Sequence, residues 1–308
     1  MTSEVRLEIL RADELTPWVA QLRELERGIT YPIEDGADAF TIDHGPSYHP
    51  FFSEMGDAFF MVARDEQRLL GSLAGVFRTA RVSERELATV YFADLKLAPD
   101  VRGRGVVHQM ARRVVRAALF ERRFWRWRLA YYAAMQGEHG DVARTMSGPH
   151  AGRLLRRSAR LSLYFVEPAV LSRLPVPTSP PPPSGGGLDL SPGAASRCSG
   201  AGWVTTAERK DLRIVSTGRA WPLVHLPLGP AAWGGSWGRY LSACGAELAG
   251  AGAAQACFAI DERLEDHVGW LAAAGVVPST FCSVYALSIL PGLQVASVPW
   301  IHLATSEI

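Results

Sequence analysis

A strand that leads through a glycine-containing turn into a helix is the feature that most constrains this chain. Val90–Leu97 is rich in β-forming residues, and Ala98-Pro99-Asp100 connect it to the turn Arg102-Gly103-Arg104-Gly105-Val106-Val107. An amphipathic helix is predicted directly after the turn. The first N–H groups of a helix lack intrahelical acceptors and lie at the positive end of its dipole, so the turn predicts a phosphate site. The two glycines let a bulky anion approach the backbone.

The spacing of this turn separates three kinds of phosphate loop. A dinucleotide fingerprint needs a third glycine where His108 stands, and no Lys-Ser or Lys-Thr pair follows to make a P-loop. The pattern R/Q-x-x-G-x-G/A fits, with Arg102 and Gly105 at its first and fourth positions and Val107 in place of the last Gly or Ala. The turn and its lead-in DLKLAPDVRGRG therefore resemble the acyl-CoA pyrophosphate loop and fourth strand of the GNAT acyltransferase superfamily.

The order of predicted elements extends this resemblance over residues 4–170. Strands are predicted at Val5–Leu10, Asp57–Arg64, Leu69–Arg81, Val90–Leu97, Arg126–Gln136 and Arg160–Val166, and helices at Ala12–Arg27, after the turn, and at 141–156. The predicted fold class is α/β (α+β). The resemblance implies a mixed, mostly antiparallel GNAT-like sheet flanked by helices.

A proline- and glycine-rich stretch at 175–200 predicts a boundary between residues 1–174 and 201–308. Its composition buries little, so an extended or disordered linker is expected; a long loop within one larger domain is the alternative. The second part repeats the order strand, glycine loop, helix, strand, helix, strand at Trp221–Leu228, Gly229–Gly238, Arg239–Ala249, Ala256–Ile260, Glu262–Ala274 and Thr280–Ser288. We interpret it as a smaller α/β domain of degenerate GNAT topology.

The resemblance implies which residues bind an acyl-CoA cosubstrate. Backbone N–H groups of the loop would hold the pyrophosphate, and the end of the fourth strand would lie along the pantetheine arm. The N–H of Leu95 would polarise the acyl carbonyl between this strand and the next, Tyr131–Met135. The cofactor-binding residues predicted are Leu95, Lys96, Leu97, Arg102, Gly103, Arg104, Gly105, Val106 and Val107.

Asp94 and Tyr91 are the predicted catalytic residues. Tyr91 takes the position of the base in many relatives, as a base through water or as a wall of the acceptor site. Asp94 is the only carboxylate on this strand, and alternation places it on the sheet face opposite Tyr91. It is a candidate base, a structural hydrogen-bond acceptor or a partner of Lys96. The usual tyrosine acid has no counterpart in 141–157, which offer Ser147 and His150 instead.

Other motifs carry competing interpretations. Gly234-Gly235-Ser236-Trp237-Gly238 matches a serine-hydrolase elbow, with Asp261 or Asp266 and His302 following, but glycine-rich turns often produce this pattern. His44 and His49 are expected at a loop surface or against substrate, not as metal ligands. A set of aromatic residues is predicted either to cover the acceptor or to pack on the sheet: Tyr31, Tyr48, Phe51 and Phe52.

Composition limits the partners. The net charge of +1 gives no general reason to expect nucleic acid, although 102–128 contains nine arginines and one acid. We interpret this region as a solvated helix, with Arg112, Arg113 and Arg116 outward and Val107, Met110, Val114 and Ala118 inward. Four cysteines without CxxC spacing predict free thiols and a cytoplasmic protein, and no apolar run reaches about 18 residues, so no membrane partner is expected.

The predicted function is that of an acyl-CoA-dependent N-acyltransferase, most directly an N-acetyltransferase using acetyl-CoA, with no metal. A small primary amine is the predicted acceptor, and a protein amine stays open. The alternatives are an N-acyl amino acid synthase supplied by an acyl carrier protein, whose acidic surface would suit 102–128, and a non-catalytic acyl-CoA- or partner-binding module. Acyl length and oligomeric state are not determined by the sequence.

Overall fold

The computed structural model describes residues 5–33, 37–66, 68–83, 85–137, 140–141, 156–183, 185–200, 202–229 and 236–308. In these ranges the protein is a mixed α/β structure with one thirteen-stranded sheet and one three-stranded sheet. The strands are β1 (Arg6–Arg11), β2 (Tyr31–Ile33), β3 (Asp38–Asp43), β4 (Asp57–Arg64), β5 (Leu69–Val82), β6 (Arg85–Leu97), β7 (Leu129–Gly137), β8 (Gly140–Asp141), β9 (Arg156–Val166), β10 (Leu188–Asp189), β11 (Val204–Thr205), β12 (Asp211–Ile214), β13 (Leu223–His225), β14 (Gln255–Asp261), β15 (Thr280–Ser288) and β16 (Ile301–His302). The α-helices are α1 (Val19–Arg27), α2 (Pro50–Ser53), α3 (Val106–Phe120), α4 (Pro168–Leu171), α5 (Trp237–Gly250) and α6 (Glu265–Ala273).

Most predicted elements are present, and the differences have local causes. The predicted helix Ala12–Arg27 begins as a 3-10 turn, Ala12–Trp18, which contains Pro17, and becomes α-helical only at Val19. The predicted strand Trp221–Leu228 is reduced to β13. The helix predicted at 141–156 lies outside the described residues apart from its two ends.

Strand order interleaves the N-terminal half (1–174) with the C-terminal half (201–308). The large sheet runs β1-β4-β5-β6-β7-β15-β9-β14-β13-β11. Each half contains a parallel pair whose connection includes an α-helix: α3 lies between β6 and β7, and α5 between β13 and β14. Strand β15 pairs with β7, whereas β9 pairs with β14. Each half therefore supplies one strand beside the parallel pair of the other.

A second connection ties the segment after α1 to the C-terminal half. In the small sheet β12 pairs with β3, placing Asp211 opposite Asp43, and β3 pairs with β2. The stretch 175–200 also joins the structure, because β10 pairs with β5 and β16. Leu188 and Leu190 are fully buried. The expectation that this stretch buries little is wrong for residues 187–191, where sheet pairing satisfies the backbone and both leucines enter the core, whereas none of residues 175–183 is buried.

Two apolar layers cover opposite faces of the N-terminal part of the sheet. Helix α3 packs Val106, Met110 and Ala117 on one face. The other face carries the larger core, which includes Tyr48, Phe52 and Tyr91. The four cysteines are free thiols, as predicted. No helix within the described ranges is long and apolar enough to cross a membrane.

Candidate active site

Strand β6 contains a bulge at Asp94. Ser72 pairs with Lys96 and Ala74 with Ala93, so Asp94 and Leu95 stand opposite the single residue Leu73. Asp94 takes a left-handed conformation, with φ +57°. The extra residue shifts the alternation of side chains. Asp94 consequently lies on the same sheet face as Tyr91, and the prediction that it faces the opposite side is wrong.

Beside this bulge, β6 and β7 separate. Their parallel pairing ends at Phe92 and Tyr132. On its other side β7 pairs with β15 from Leu129 to Met135, so beyond Tyr132 it keeps β15 as a neighbour and loses β6. Ala93, Asp94 and Leu95 are partly exposed there. Beyond Phe92, β6 therefore has no partner strand on the β7 side, and Leu95 follows three residues later, at the place where the resemblance implies a thioester.

The glycine turn lies at the N-terminus of α3. Gly103 and Gly105 have φ of +75° and +78°, which non-glycine residues rarely adopt, and a Cβ at either would meet no atom within 4 Å. The first helical hydrogen bond runs from the N–H of Gln109 to the carbonyl of Gly105. The N–H groups of Val106, Val107 and His108 therefore lack acceptors inside the helix. The turn is exposed and suits an anion.

Two side chains of the turn are placed by local contacts. Arg102 is exposed, and its Nε donates to the carbonyl of Leu97 at 3.4 Å. Val107 is half-buried and packs on the apolar cluster that contains Met110. The valine that departs from the resemblance thus contacts the core, which leaves the backbone of the turn accessible.

A buried group of charged and polar side chains surrounds Asp94. Its carboxylate accepts hydrogen bonds from the hydroxyl of Tyr48 and from the ammonium of Lys96. Lys96 Nζ also lies 2.8 Å from Glu26 Oε1, which is 2.5 Å from His44 Nδ1. The Lys96 side chain is only 1% exposed. We call Glu26, His44, Tyr48, Asp94 and Lys96 the bulge cluster.

Charge balance in the bulge cluster sets its protonation. Burial opposes ionisation of Asp94, but Lys96, His44 and the hydrogen bond from Tyr48 together hold its pKa below the usual range. Burial, followed by the charge of Asp94, raises the pKa of Tyr48 well above its ordinary value. Asp94 is therefore a carboxylate and Tyr48 a neutral phenol. Two of the predicted roles of Asp94, acceptor and Lys96 partner, are observed contacts.

Lys210 brings the C-terminal half to the bulge cluster. It precedes β12, whose pairing with β3 places it near His44, the residue after β3. Its ammonium donates to the carbonyl of Ile308 and lies 4.9 Å from the Phe51 ring centroid. Burial lowers the pKa of Lys210 to about 8, against the opposing effect of the Asp94 and Glu26 carboxylates. The only two lysines of the chain are thus both buried, and each interacts electrostatically with the carboxylates of Asp94 and Glu26.

Three side chains of the cluster have metal-ligating types. Ligand atoms of Glu26, His44 and Asp94 lie within 4.8 Å of one another. The ammonium of Lys96 already contacts both carboxylates. Because a cation is built into the cluster, the arrangement favours an internal ion pair over a metal site. His44 is 3% exposed, so the expectation of a surface or substrate-contact histidine is wrong.

Tyr91 is held by packing. It is 2% exposed, stacks on Tyr131 with ring centroids 4.8 Å apart, and donates its hydroxyl to the carbonyl of Glu307 at 2.9 Å. Burial, followed by the electrostatic interaction with Tyr131, raises the pKa of Tyr91 well above its ordinary value. These contacts suit the predicted wall of the site better than the predicted base.

The remaining predicted residues lie in three environments. Tyr48, Phe51 and Phe52 are buried in the core over the sheet, which is the packing alternative. Ser236 is the N-cap of α5 and accepts from the N–H of Arg239 at 3.2 Å, whereas His302 lies 2.7 Å from Asp189. These contacts form no Ser-His-Asp relay among the described residues. Ser147 and His150 lie outside the described residues.

Sequence reasoning missed Glu26 and Lys210, placed His44 at a loop surface or against substrate, and gave Tyr48 only a covering or packing role. Glu26 is 70 residues from Lys96 along the chain, so no local spacing reveals their contact. One signal was available in the sequence. A chain with 32 lysines and arginines uses lysine only at positions 96 and 210.

Comparison with known proteins assigns the fold. No protein-family model and no curated protein matches the chain. A tandem GNAT protein from the clavulanic acid biosynthesis pathway superposes with a TM-score of 0.51 at 14% identity, covering 94% of this chain and 100% of that one. Saccharomyces cerevisiae N-myristoyltransferase with bound myristoyl-CoA gives 0.50 at 10% identity, covering 94% and 80%. The chain therefore has the GNAT fold over nearly its whole length.

Proposed function

We propose that this protein is an acyl-CoA-dependent N-acyltransferase that transfers a short acyl group, most directly acetyl, to a primary amine of a small molecule. The observation that carries the proposal is the meeting of two features on β6 and α3. The pairing of β6 with β7 ends before Leu95, which leaves this residue without a partner strand on the β7 side, and the N–H groups of Val106, Val107 and His108 at the start of α3 lack acceptors within the helix. One extended thioester with a pyrophosphate can contact both.

Each proposed contact has a chemical reason. Within the turn Arg102–Val107, the N–H groups of Arg102 and Arg104 donate to Pro99 and Val101, and the remaining N–H groups receive the pyrophosphate. The main chain of Leu95–Leu97, including Lys96, runs beside the pantetheine arm. The N–H of Leu95 stabilises the charge that develops on the acyl oxygen. The yeast enzyme of the same fold holds myristoyl-CoA, which supports a CoA thioester as the donor.

The reaction is a direct displacement. An amine that has lost the proton of its ammonium form attacks the thioester carbon, the C–N bond forms, and the C–S bond breaks. The second proton leaves the nitrogen, and the thiolate takes up one proton to become CoA thiol. We assign the proton acceptor to Asp94, with Tyr91 as a wall of the site. The stacked, buried Tyr91 and Tyr131 occupy the space behind the point where β6 and β7 separate, which supports a short acyl group.

A second candidate is a non-catalytic acyl-CoA-binding module. Both carboxylate oxygens of Asp94 already accept a hydrogen bond, from Tyr48 and Lys96. Such a carboxylate is a weaker proton acceptor. An acyl carrier protein as donor stays a predicted alternative, because the same place between β6 and β7 would accept its phosphopantetheine arm.

The test is release of free CoA thiol from acetyl-CoA in the presence of pooled primary amines, alongside a thermal shift with acetyl-CoA alone. Because a ligand that binds the native state raises its melting temperature, the proposal expects both a shift and amine-dependent thiol release. A shift without release identifies the binding module. Absence of both refutes the acyl-CoA assignment.

A further inference from the structure

Large apolar side chains are exposed along the outer side of α3 and the turn after it. Four of the eight exposed large apolar residues in the described part of the chain lie within eleven positions here. Phe120 is the most exposed, at 74%, and Trp125 is 54% exposed. Exposed arginines flank them. We call this set the basic ridge: Arg112, Val115, Arg116, Leu119, Phe120, Arg122, Trp125 and Arg126.

The arginines of the basic ridge have no ion-pair partner in the part of the chain that the structure describes. Within the described residues no carboxylate forms an ion pair with Arg112, Arg116, Arg122 or Arg126. Their neighbours differ: Arg113 pairs with Glu121 at 2.7 Å, and Arg123 with Asp57 at 2.9 Å. The ridge therefore combines a positive field with apolar groups that gain by leaving water.

This combination restricts what can cover the ridge. A two-fold contact between copies of the chain would place arginines against arginines, which like-charge repulsion opposes. A partner that offers phosphate charge alone would leave Phe120 and Trp125 in water. The interface of an anionic bilayer accepts both, since aromatic side chains partition to the headgroup level and arginines contact the phosphates.

We propose that the basic ridge docks this protein on the surface of a membrane rich in anionic lipid. An acidic protein would also complement the positive charge of the arginines. It would, however, need fitted pockets for side chains that protrude as far as Phe120, whereas a bilayer needs none. The sequence-based prediction of no membrane partner rested on the lack of a spanning run and did not address a surface contact. The inference is independent of the proposed enzymatic activity.

Co-sedimentation of the full chain with vesicles tests the proposal. Vesicles of phosphatidylcholine alone are compared with vesicles containing one third phosphatidylglycerol. Binding is expected only to the anionic vesicles and should weaken with added salt. The variant Arg116→Gln/Arg122→Gln should lose roughly thirtyfold in partitioning, because each basic residue near such a surface contributes about fivefold. Phe120→Ser/Trp125→Ser should also release the protein.

Matched controls use exposed residues of the same kinds elsewhere in the chain. Arg219→Gln/Arg239→Gln removes two exposed arginines from the C-terminal half, and Val277→Ser/Ile289→Ser removes two exposed apolar side chains. Both controls should bind like the parent. The proposal is overturned if anionic vesicles are not bound, if ridge and control variants lose binding equally, or if the ridge binds an acidic protein but no vesicle.

Discussion

Lys210 should make the stability of this protein depend on pH in an unusual direction. Its pKa is about 8 in the folded protein, against 10.5 as the ordinary value. Below pH 8 both states carry the charge, and the folded state bears the cost of burying it. Between these two pKa values the unfolded chain binds more protons than the folded one. The contribution of Lys210 therefore makes the free energy of unfolding increase as the pH rises.

The magnitude follows from the shift. One proton corresponds to about 1.4 kcal/mol for each pH unit, so the full shift amounts to about 3 kcal/mol. Lys210 is 8% exposed, and solvent screening reduces this value little. Buried tyrosines and thiols also titrate at alkaline pH. We therefore compare the parent with Lys210→Met, because those contributions cancel in the difference.

Urea unfolding from pH 7 to 10 measures this difference. Above pH 8 the free energy of unfolding of the parent should rise by about 2 kcal/mol relative to that of Lys210→Met. Lys210→Arg, which does not titrate in this range, should behave like the methionine variant in its pH dependence. Selective ¹⁵N-lysine labelling gives a direct check, because the chain has only two lysines. The reasoning would be refuted if the free energy of unfolding had the same pH dependence in the parent and in Lys210→Met, or if the Lys210 resonance titrated at the ordinary pKa.

Three further outcomes are expected. Asp94→Asn should lower kcat about 10²- to 10⁴-fold, the usual effect of a general base, with CoA affinity unchanged by calorimetry; an unchanged kcat would remove Asp94 as the base. Glu307→Gln should cost about 3–5 kcal/mol in urea unfolding, because Arg78, 2.8 Å from Glu307, and Arg197 would lose their buried partner; a cost under about 1 kcal/mol would contradict this. Residues 1–174 alone should lack a cooperative thermal transition, since β15 separates β7 from β9, and adding 201–308 should restore it; an independently stable fragment would show that the strand exchange is dispensable.

The features that could be predicted from the sequence depend on neighbouring residues. The glycine turn, its helix and the order of elements follow from patterns of a dozen positions. Strands Asp57–Arg64 and Thr280–Ser288 were predicted with their observed bounds. The repeated order of elements in the two halves was also visible, because it needs only local periodicity.

The features that were missed depend on contacts between distant segments. The bulge at Asp94 is defined by the register of β6 against Leu73, and without it simple alternation misplaced the carboxylate. The bulge cluster joins α1, the loop after β3 and β6, and Lys210 reaches it from the other half of the chain. Likewise, the pairing of β15 with β7 and of β9 with β14 crosses between the two halves. The hydrophobic pattern does not reveal this, since either strand could pair within its own half.

Calorimetric titration with acetyl-CoA tests the central claim, that the turn 102–107 receives the pyrophosphate. The variant is Gly105→Glu, which places a carboxylate where the anion should bind. Gly275→Glu is the matched control, because Gly275 is also exposed, shares the φ of +78°, and has open space within 4 Å of the position that a Cβ would take. Binding by the parent and by Gly275→Glu, with its loss in Gly105→Glu, is the predicted result. Equal affinity in all three proteins would contradict it.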